Sequence, residues 1–97
     1  MKNSMRKIRY TARFKRDYKR EKSGRHSKII NAALMKIVNL LAADMPLPKS
    51  NVDHPLIGEW SDHRDCHVKP DLILIYRKPD DEHLDLVRLG SHSQLGL

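Results

Sequence analysis

Residues 70–76 read PDLILIY, and they decide how the rest of the chain is arranged. The run Leu72 to Tyr76 is apolar throughout, so periodicity alone cannot separate a buried strand from a piece of buried helix. Its short length, its branched residues and the Pro70-Asp71 punctuation before it favour a strand covered on both faces. We therefore place it at the centre of a sheet. The stretch before it, DHPLIGEWSDHRDCHVK at 53–69, holds three of the six histidines, the only Trp and the only Cys. These polar residues are expected at one rim of the sheet. After it, VRLGSHSQ at 87–94 is expected to return to the same rim, with His92 four residues beyond Arg88 and Gly90 allowing the chain to turn and aim the imidazole.

Working outward, Gly58 to Trp60 and Arg64 to Lys69 read as two strands joined by the polar turn Ser61-Asp62-His63. Asp80-Asp81 makes the next turn, and His83 to Gly90 forms the last strand. Alternation there puts Leu84, Leu86 and Arg88 on one face and Asp85, Val87 and Leu89 on the other. Upstream, Ile29, Ile30, Ala33, Leu34, Ile37, Val38, Leu40 and Leu41 recur at helical spacing. They give a core helix capped by Ser27 and running to about Ala43, where Pro46 and Pro48 forbid continuation. An earlier helix starts at a Thr11 cap and runs to about Lys22, with Phe14 and Tyr18 as its only large apolar residues. Lys7 to Tyr10 alternates as a short first strand, and residues 1–6 carry no pattern and read as a disordered lead. Residues 1–97 thus form one α+β domain: two N-terminal helices packed on a mainly antiparallel sheet of four to five strands.

The net charge of +7 is unevenly distributed. Residues 1–28 carry twelve Lys or Arg against Asp17 and Glu21, and the remainder carries seven against ten acids, so the two parts stand at +10 and −3. A polyanion is the partner such a field attracts, whether nucleic acid, an anionic surface or an acidic protein segment, although a basic helix can also be just a solvated face. An apolar fraction of 39% allows a core of Ile, Leu and Val and excludes a disordered chain. Cys66 has no second cysteine to pair with, and neither a signal-type apolar region nor a run long enough to span a bilayer is present. A cytoplasmic protein without membrane contact is expected.

His54, His63, His67 and His92 fall at strand ends or in turns, where side chains can converge. One histidine in a polar loop is usually an ordinary surface residue; several together, with Asp71 and Arg88 also beside strand ends, suggest a site, because imidazole titrates near neutral pH. A zinc site is the competing reading, from His63, Cys66, His67 and Asp71. There is no second cysteine pair, however, and adjacent Cys66 and His67 on a strand point to opposite faces, so no metal is expected. Cys66 reads as a small buried residue and not as a nucleophile. The four glycines are scattered and form no phosphate cradle, so no nucleotide cofactor is expected. What remains feasible is RNA cleavage without a metal: a base for the ribose 2′-OH, an acid for the leaving 5′ oxygen, and a cation for the phosphate. Histidines with Arg88 supply that set, and DNA lacks the 2′-OH.

At DHPLIGEW, RDCHVKPDLILIY and RLGSHSQL the sequence resembles toxins of the YafQ type within the RelE/ParE superfamily, best over Asp53 to Leu95. The resemblance implies a RelE-like fold and a ribosome-dependent endoribonuclease that cuts mRNA. It also implies inhibition by a cognate antitoxin, and operator DNA contacted only through the toxin–antitoxin complex. By position it assigns catalysis to His54, His67, Asp71, Arg88 and His92. Arg13, Lys15, Arg16, Lys19, Arg20 and Lys69 are the expected RNA-binding residues. Members often carry Trp where Leu72 stands and an aromatic where Gly96 stands. The rival reading is a non-enzymatic nucleic-acid-binding module or repressor partner, in which the basic helix does everything.

Overall fold

The structure, a computed structural model, describes residues 5–24 and 27–97. Its elements in chain order are β1 (Lys7–Tyr10), α1 (Ala12–Lys22), α2 (Ile30–Ala42), β2 (His54–Pro55), β3 (Arg64–Lys69), β4 (Leu72–Arg77), β5 (His83–Gly90) and α3 (His92–Leu95). They form one five-stranded sheet in the order β1-β5-β4-β3-β2. The β1–β5 pair is parallel and the other three are antiparallel, so the expected α+β architecture holds.

Leu72 to Tyr76 is buried at every position because β4 lies at the middle of the sheet and both faces are covered. Leu72, Leu74 and Tyr76 face the larger core with Cys66, Val68, Phe14 and the α2 residues Leu34, Ile37, Val38 and Leu41. Ile73 and Ile75 face the opposite side, against Leu95 and the partly buried Leu56, Trp60 and Val87. Burying such a side chain fully contributes about 1.5–3 kcal/mol, so truncating Leu74 opens a gap in the middle of the larger core and costs about 2–5 kcal/mol.

β5 is longer than its neighbour β1, and α1 covers the remainder of its edge. Thr11 donates from its N–H to the Leu86 carbonyl at 3.1 Å and from its hydroxyl to the Val87 carbonyl at 2.8 Å. The same hydroxyl accepts from the Phe14 N–H at 3.0 Å, which is the cap expected from sequence. Further along, Asp17 accepts the Leu89 N–H at 3.0 Å and Arg20 donates to the Leu89 carbonyl at 2.8 Å. Side chains of a helix thus satisfy strand-edge groups that would otherwise lie open.

Several expected details differ. Gly58–Trp60 is a short 3-10 turn and not a strand, because Gly58 takes a left-handed φ of 69° that breaks the extended chain; the strand there is His54–Pro55, earlier in the loop. A register shift opposite Ile75 and Tyr76 breaks the alternation in β5, so Leu89 joins Leu84 and Leu86 in the larger core. α2 begins at Ile30 behind Ile29, with no side-chain cap, and Ser27 lies outside it. Of the expected lead at 1–6, residues 1–4 lie outside the described residues, while Arg6 is held by its N–H on the Ala42 carbonyl at 2.8 Å and its Nε on Asp44 at 2.7 Å. Among the described residues no helix is long and apolar enough to cross a membrane.

Candidate active site

Alternation along β3 sends Cys66 and Val68 into the larger core, which leaves Asp65 and His67 on the opposite face. There they stand across from Ile75 and Ile73 of β4. His54 is the register partner of Asp65 on the neighbouring β2. The loop carrying it is fixed by Asp53, which accepts the Tyr76 hydroxyl at 2.6 Å and the Arg64 Nε at 3.2 Å. His92 arrives from the other end of the sheet as the first residue of α3, whose Leu95 packs on Ile73 and Ile75. A capping box forms this short helix: the Ser91 hydroxyl accepts the Gln94 N–H at 3.2 Å, and Gln94 Oε1 accepts the Ser91 N–H at 2.9 Å.

Three imidazoles therefore meet on the sheet face away from α2. His54 Nε2 lies 2.8 Å from Asp65 Oδ1, and the His67 and His92 rings stand 5.3 Å apart, edge to face. Asp65 is buried while the His54 side chain is 48% exposed, so the carboxylate is the floor of the site and the imidazole its surface. The His54 contact is short enough for an ion pair but off line for a hydrogen bond, and among the described residues this Asp65 oxygen has no hydrogen-bond partner. Burial raises the Asp65 carboxyl above its ordinary pKa, against the opposing pull of His54, His67 and His92. A buried carboxylate facing three imidazoles is an arrangement that favours holding protons at this spot. Sequence reading missed Asp65, although the alternation that separates Cys66 from His67 also puts Asp65 on the His67 side.

The other candidate residues are placed differently. The Arg88 Nε and Nη2 donate to the two Asp17 oxygens at 2.7 and 3.2 Å, with 13% and 5% of the side chains exposed. Burial acts to raise the Asp17 carboxyl, but the bonds from Arg88 and the Leu89 N–H outweigh it and hold the group below its ordinary pKa. Asp71 lies in the exposed turn between β3 and β4, at the end of the hairpin that carries His67. Arg13, Lys15, Arg16 and Lys19 are exposed on α1, whereas Arg20 bonds to Asp17, Glu21 and the Leu89 carbonyl. Gly90 is not left-handed; an added Cβ there would come within 2.8 Å of Arg20 Nη2 and Gln94 Oε1, the far ends of two flexible side chains that would have to shift. Leu72 is fully buried in the larger core and Gly96 ends α3 at a φ of 72°, so neither offers a surface to a base.

The residues of the zinc reading do not assemble. His63 packs edge-on against Trp60, Cys66 points into the larger core, and among the described residues no group of three His, Cys, Asp or Glu could hold a metal. Burial also pushes the Cys66 thiol far above its ordinary pKa, which removes the thiolate a nucleophile needs.

Comparison with known proteins gives one consistent family. The family model for the bacterial toxin YafQ of type II toxin–antitoxin systems matches residues 6–96. The mRNA interferase toxin YafQ of Escherichia coli K12 is 40% identical over 90 residues, which cover 93% of this chain and 95% of that protein. The crystal structure of the E. coli DinJ–YafQ toxin–antitoxin complex superposes with a TM-score of 0.79 at 38% identity, covering 94% of this chain and 97% of that one. A metal-bound toxin from Helicobacter pylori superposes at 0.77 with 40% identity, covering 94% and 99%.

Proposed function

Because the chain belongs to the YafQ family of type II toxin–antitoxin toxins, we propose that it is an mRNA interferase: an endoribonuclease that cuts mRNA on the ribosome, stops translation and is held inactive by a cognate antitoxin. The observation that carries the reading is the set His54, His67 and His92 around buried Asp65. In the reaction, one imidazole takes the ribose 2′-OH proton as the 2′ oxygen attacks phosphorus. The bond from phosphorus to the 5′ oxygen breaks, and a second protonated group donates to that oxygen. The products are a 2′,3′-cyclic phosphate and a 5′-OH end, and no oxidant, reductant or metal is consumed.

His67 and His92, with ring centres 5.3 Å apart, are close enough to serve two oxygens of one phosphate. His54 and Asp71 share the proton transfers, and Asp65 stabilises whichever neighbouring imidazole carries the proton. Arg88 uses Nε and Nη2 on Asp17, which leaves Nη1 as the end of the guanidinium that can donate to a phosphate oxygen. Asp17 both orients this cation and offsets part of its charge.

The exposure of the imidazoles supports a role for the ribosome. His54 and His92 are exposed on that sheet face, and a flexible RNA backbone has to be brought into line there before in-line attack. A site that supplies proton transfer without alignment needs its substrate held from outside, and mRNA in the decoding site is so held. The exposed cations of α1 would then face ribosomal RNA or the acidic parts of the antitoxin, operator DNA would be met only through the toxin–antitoxin complex, and the place of action is the cytoplasm.

Inducing the chain alone in bacteria tests the proposal. The expected result is growth arrest with new 5′-OH ends inside translated reading frames, lost in His92→Ala at equal protein level and suppressed by co-expressing the antitoxin. Equal arrest by His92→Ala, without new RNA ends, would point to the non-enzymatic binding module.

A further inference from the structure

We propose that the cleft between α2 and the outer part of β3 is a nucleotide subsite: it takes the nucleotide next to the scissile phosphate on the same RNA strand, with Lys36 and Lys69 on that nucleotide's phosphate. The inference rests on the endoribonuclease reading and assigns part of its substrate path. The cleft has a volume of about 450 Å³, within the range of about 300–1,000 Å³ common for small-molecule sites. Lys36, Pro48, Ser50, Asn51, His67 and Lys69 are among its lining residues.

Four features support it. His67 belongs to the cleft wall, and its ring meets His92 on the sheet face away from α2, so a strand passing from the cluster to the cleft rounds the edge of β3 at this residue. Residues 29–97 carry more acids than bases, yet the lining includes two lysines and no carboxylate. Lys36 is exposed and Lys69 partly so, as phosphate contacts require. The Pro48 and Pro70 rings with Ala33 and Ile37 give an apolar wall for a base or ribose, and Ser50 and Asn51 add polar groups beside it.

The wall is also held in place. Asn51 Nδ2 donates to the His67 carbonyl at 2.7 Å, which ties the loop to β3 directly beneath the shared histidine. The next residue, Val52, is held at a φ of 47°, a left-handed conformation that a β-branched side chain rarely adopts. Strain of this kind persists only where its surroundings fix it, and here it fixes the turn that shapes the cleft.

The test uses the full chain, a single-stranded RNA trinucleotide made uncleavable by 2′-deoxy substitutions at its first and middle positions, and purified translating ribosomes. The expected result is a set of amide NMR shifts at Ser50, Asn51 and His67 to Lys69 on titration. In Lys36→Ala/Lys69→Ala, trinucleotide affinity should fall about tenfold and the salt slope by about 0.7 for each phosphate no longer neutralised, with Lys36→Arg/Lys69→Arg restoring both. On ribosomes the same alanine variant should raise KM more than it lowers kcat, whereas His92→Ala does the reverse. Unchanged trinucleotide binding by a variant whose parent cleaves normally would strike out the subsite and leave the endoribonuclease reading standing. Weakening seen only with ribosomes would assign the lysines to ribosomal RNA and overturn the inference. A wild-type protein that cleaves nothing would overturn both.

Discussion

Asp17→Asn should destabilise the fold far more than any change among the imidazoles. The carboxylate is 5% exposed and accepts from Arg88 at 2.7 and 3.2 Å, from Arg20 at 3.2 Å and from the Leu89 N–H at 3.0 Å. An amide keeps one acceptor but turns donors toward two guanidinium groups. Breaking a buried pair by removing one partner costs about 3–5 kcal/mol. Arg20 is 41% exposed and can turn to water, so the lower end applies, about 3 kcal/mol. For a domain of this size 1 kcal/mol shifts Tm by about 4–8 °C, which predicts a fall of about 12–24 °C in thermal unfolding followed by circular dichroism. Asp17→Asn/Arg88→Met should recover part of it, since both partners are then gone. The pH dependence has a definite sign. A carboxyl whose folded pKa is lowered contributes stability above its unfolded value near 4, and that contribution disappears as pH falls through the lower folded value. The gap between wild type and Asp17→Asn should therefore narrow below about pH 4. A Tm change under about 3 °C, or a gap independent of pH, would mean that Asp17 does not hold Arg88. By the same reasoning Arg88→Ala confounds chemistry with folding, and Arg88→Lys is the sharper probe of its role on phosphate.

Three further outcomes follow from the site. Asp65→Asn should raise Tm at neutral pH while slowing cleavage: burial raises the Asp65 pKa, so ionisation works against folding as pH rises through that value, and the advantage of Asn should vanish in acid, as melting curves across pH will show. Replacing Arg13, Arg16 and Lys19 together should weaken ribosome binding and reduce its salt slope by about one unit for each phosphate no longer neutralised, and equal binding at every salt concentration would count against the basic face. Cleavage should survive a zinc-stripping chelator used at a magnesium level that keeps ribosomes intact; stoichiometric metal that leaves together with activity would reopen the metal reading that the H. pylori relative raises.

What is legible in the sequence is whatever depends on local period and punctuation. LILIY between Pro70-Asp71 and the next turn marks the central strand, and Thr11 and the α2 apolar face mark the helices. His54, His67 and His92 stand out by residue type and position, and the structure brings them to one face. The Ser91-x-x-Gln94 box that forms α3 is also visible in the sequence. What is not legible depends on contacts distant in sequence. Asp17 looks like one acid in a basic helix, and only its meeting with β5, more than seventy residues on, makes it a buried anchor. Leu89 changes faces because of a register shift that no alternation rule contains. Gly58 reads as part of a strand because nothing in its neighbours signals a left-handed turn.

The most direct test of the imidazole site is single-turnover cleavage of a defined mRNA on purified ribosomes, wild type against His92→Ala, with the product ends identified. The account predicts 5′-OH and 2′,3′-cyclic phosphate ends, and a rate about 10²–10⁴-fold lower for His92→Ala with Tm within a few degrees of wild type. Near-normal cleavage by His92→Ala, or 5′-phosphate products from the wild type, would contradict it.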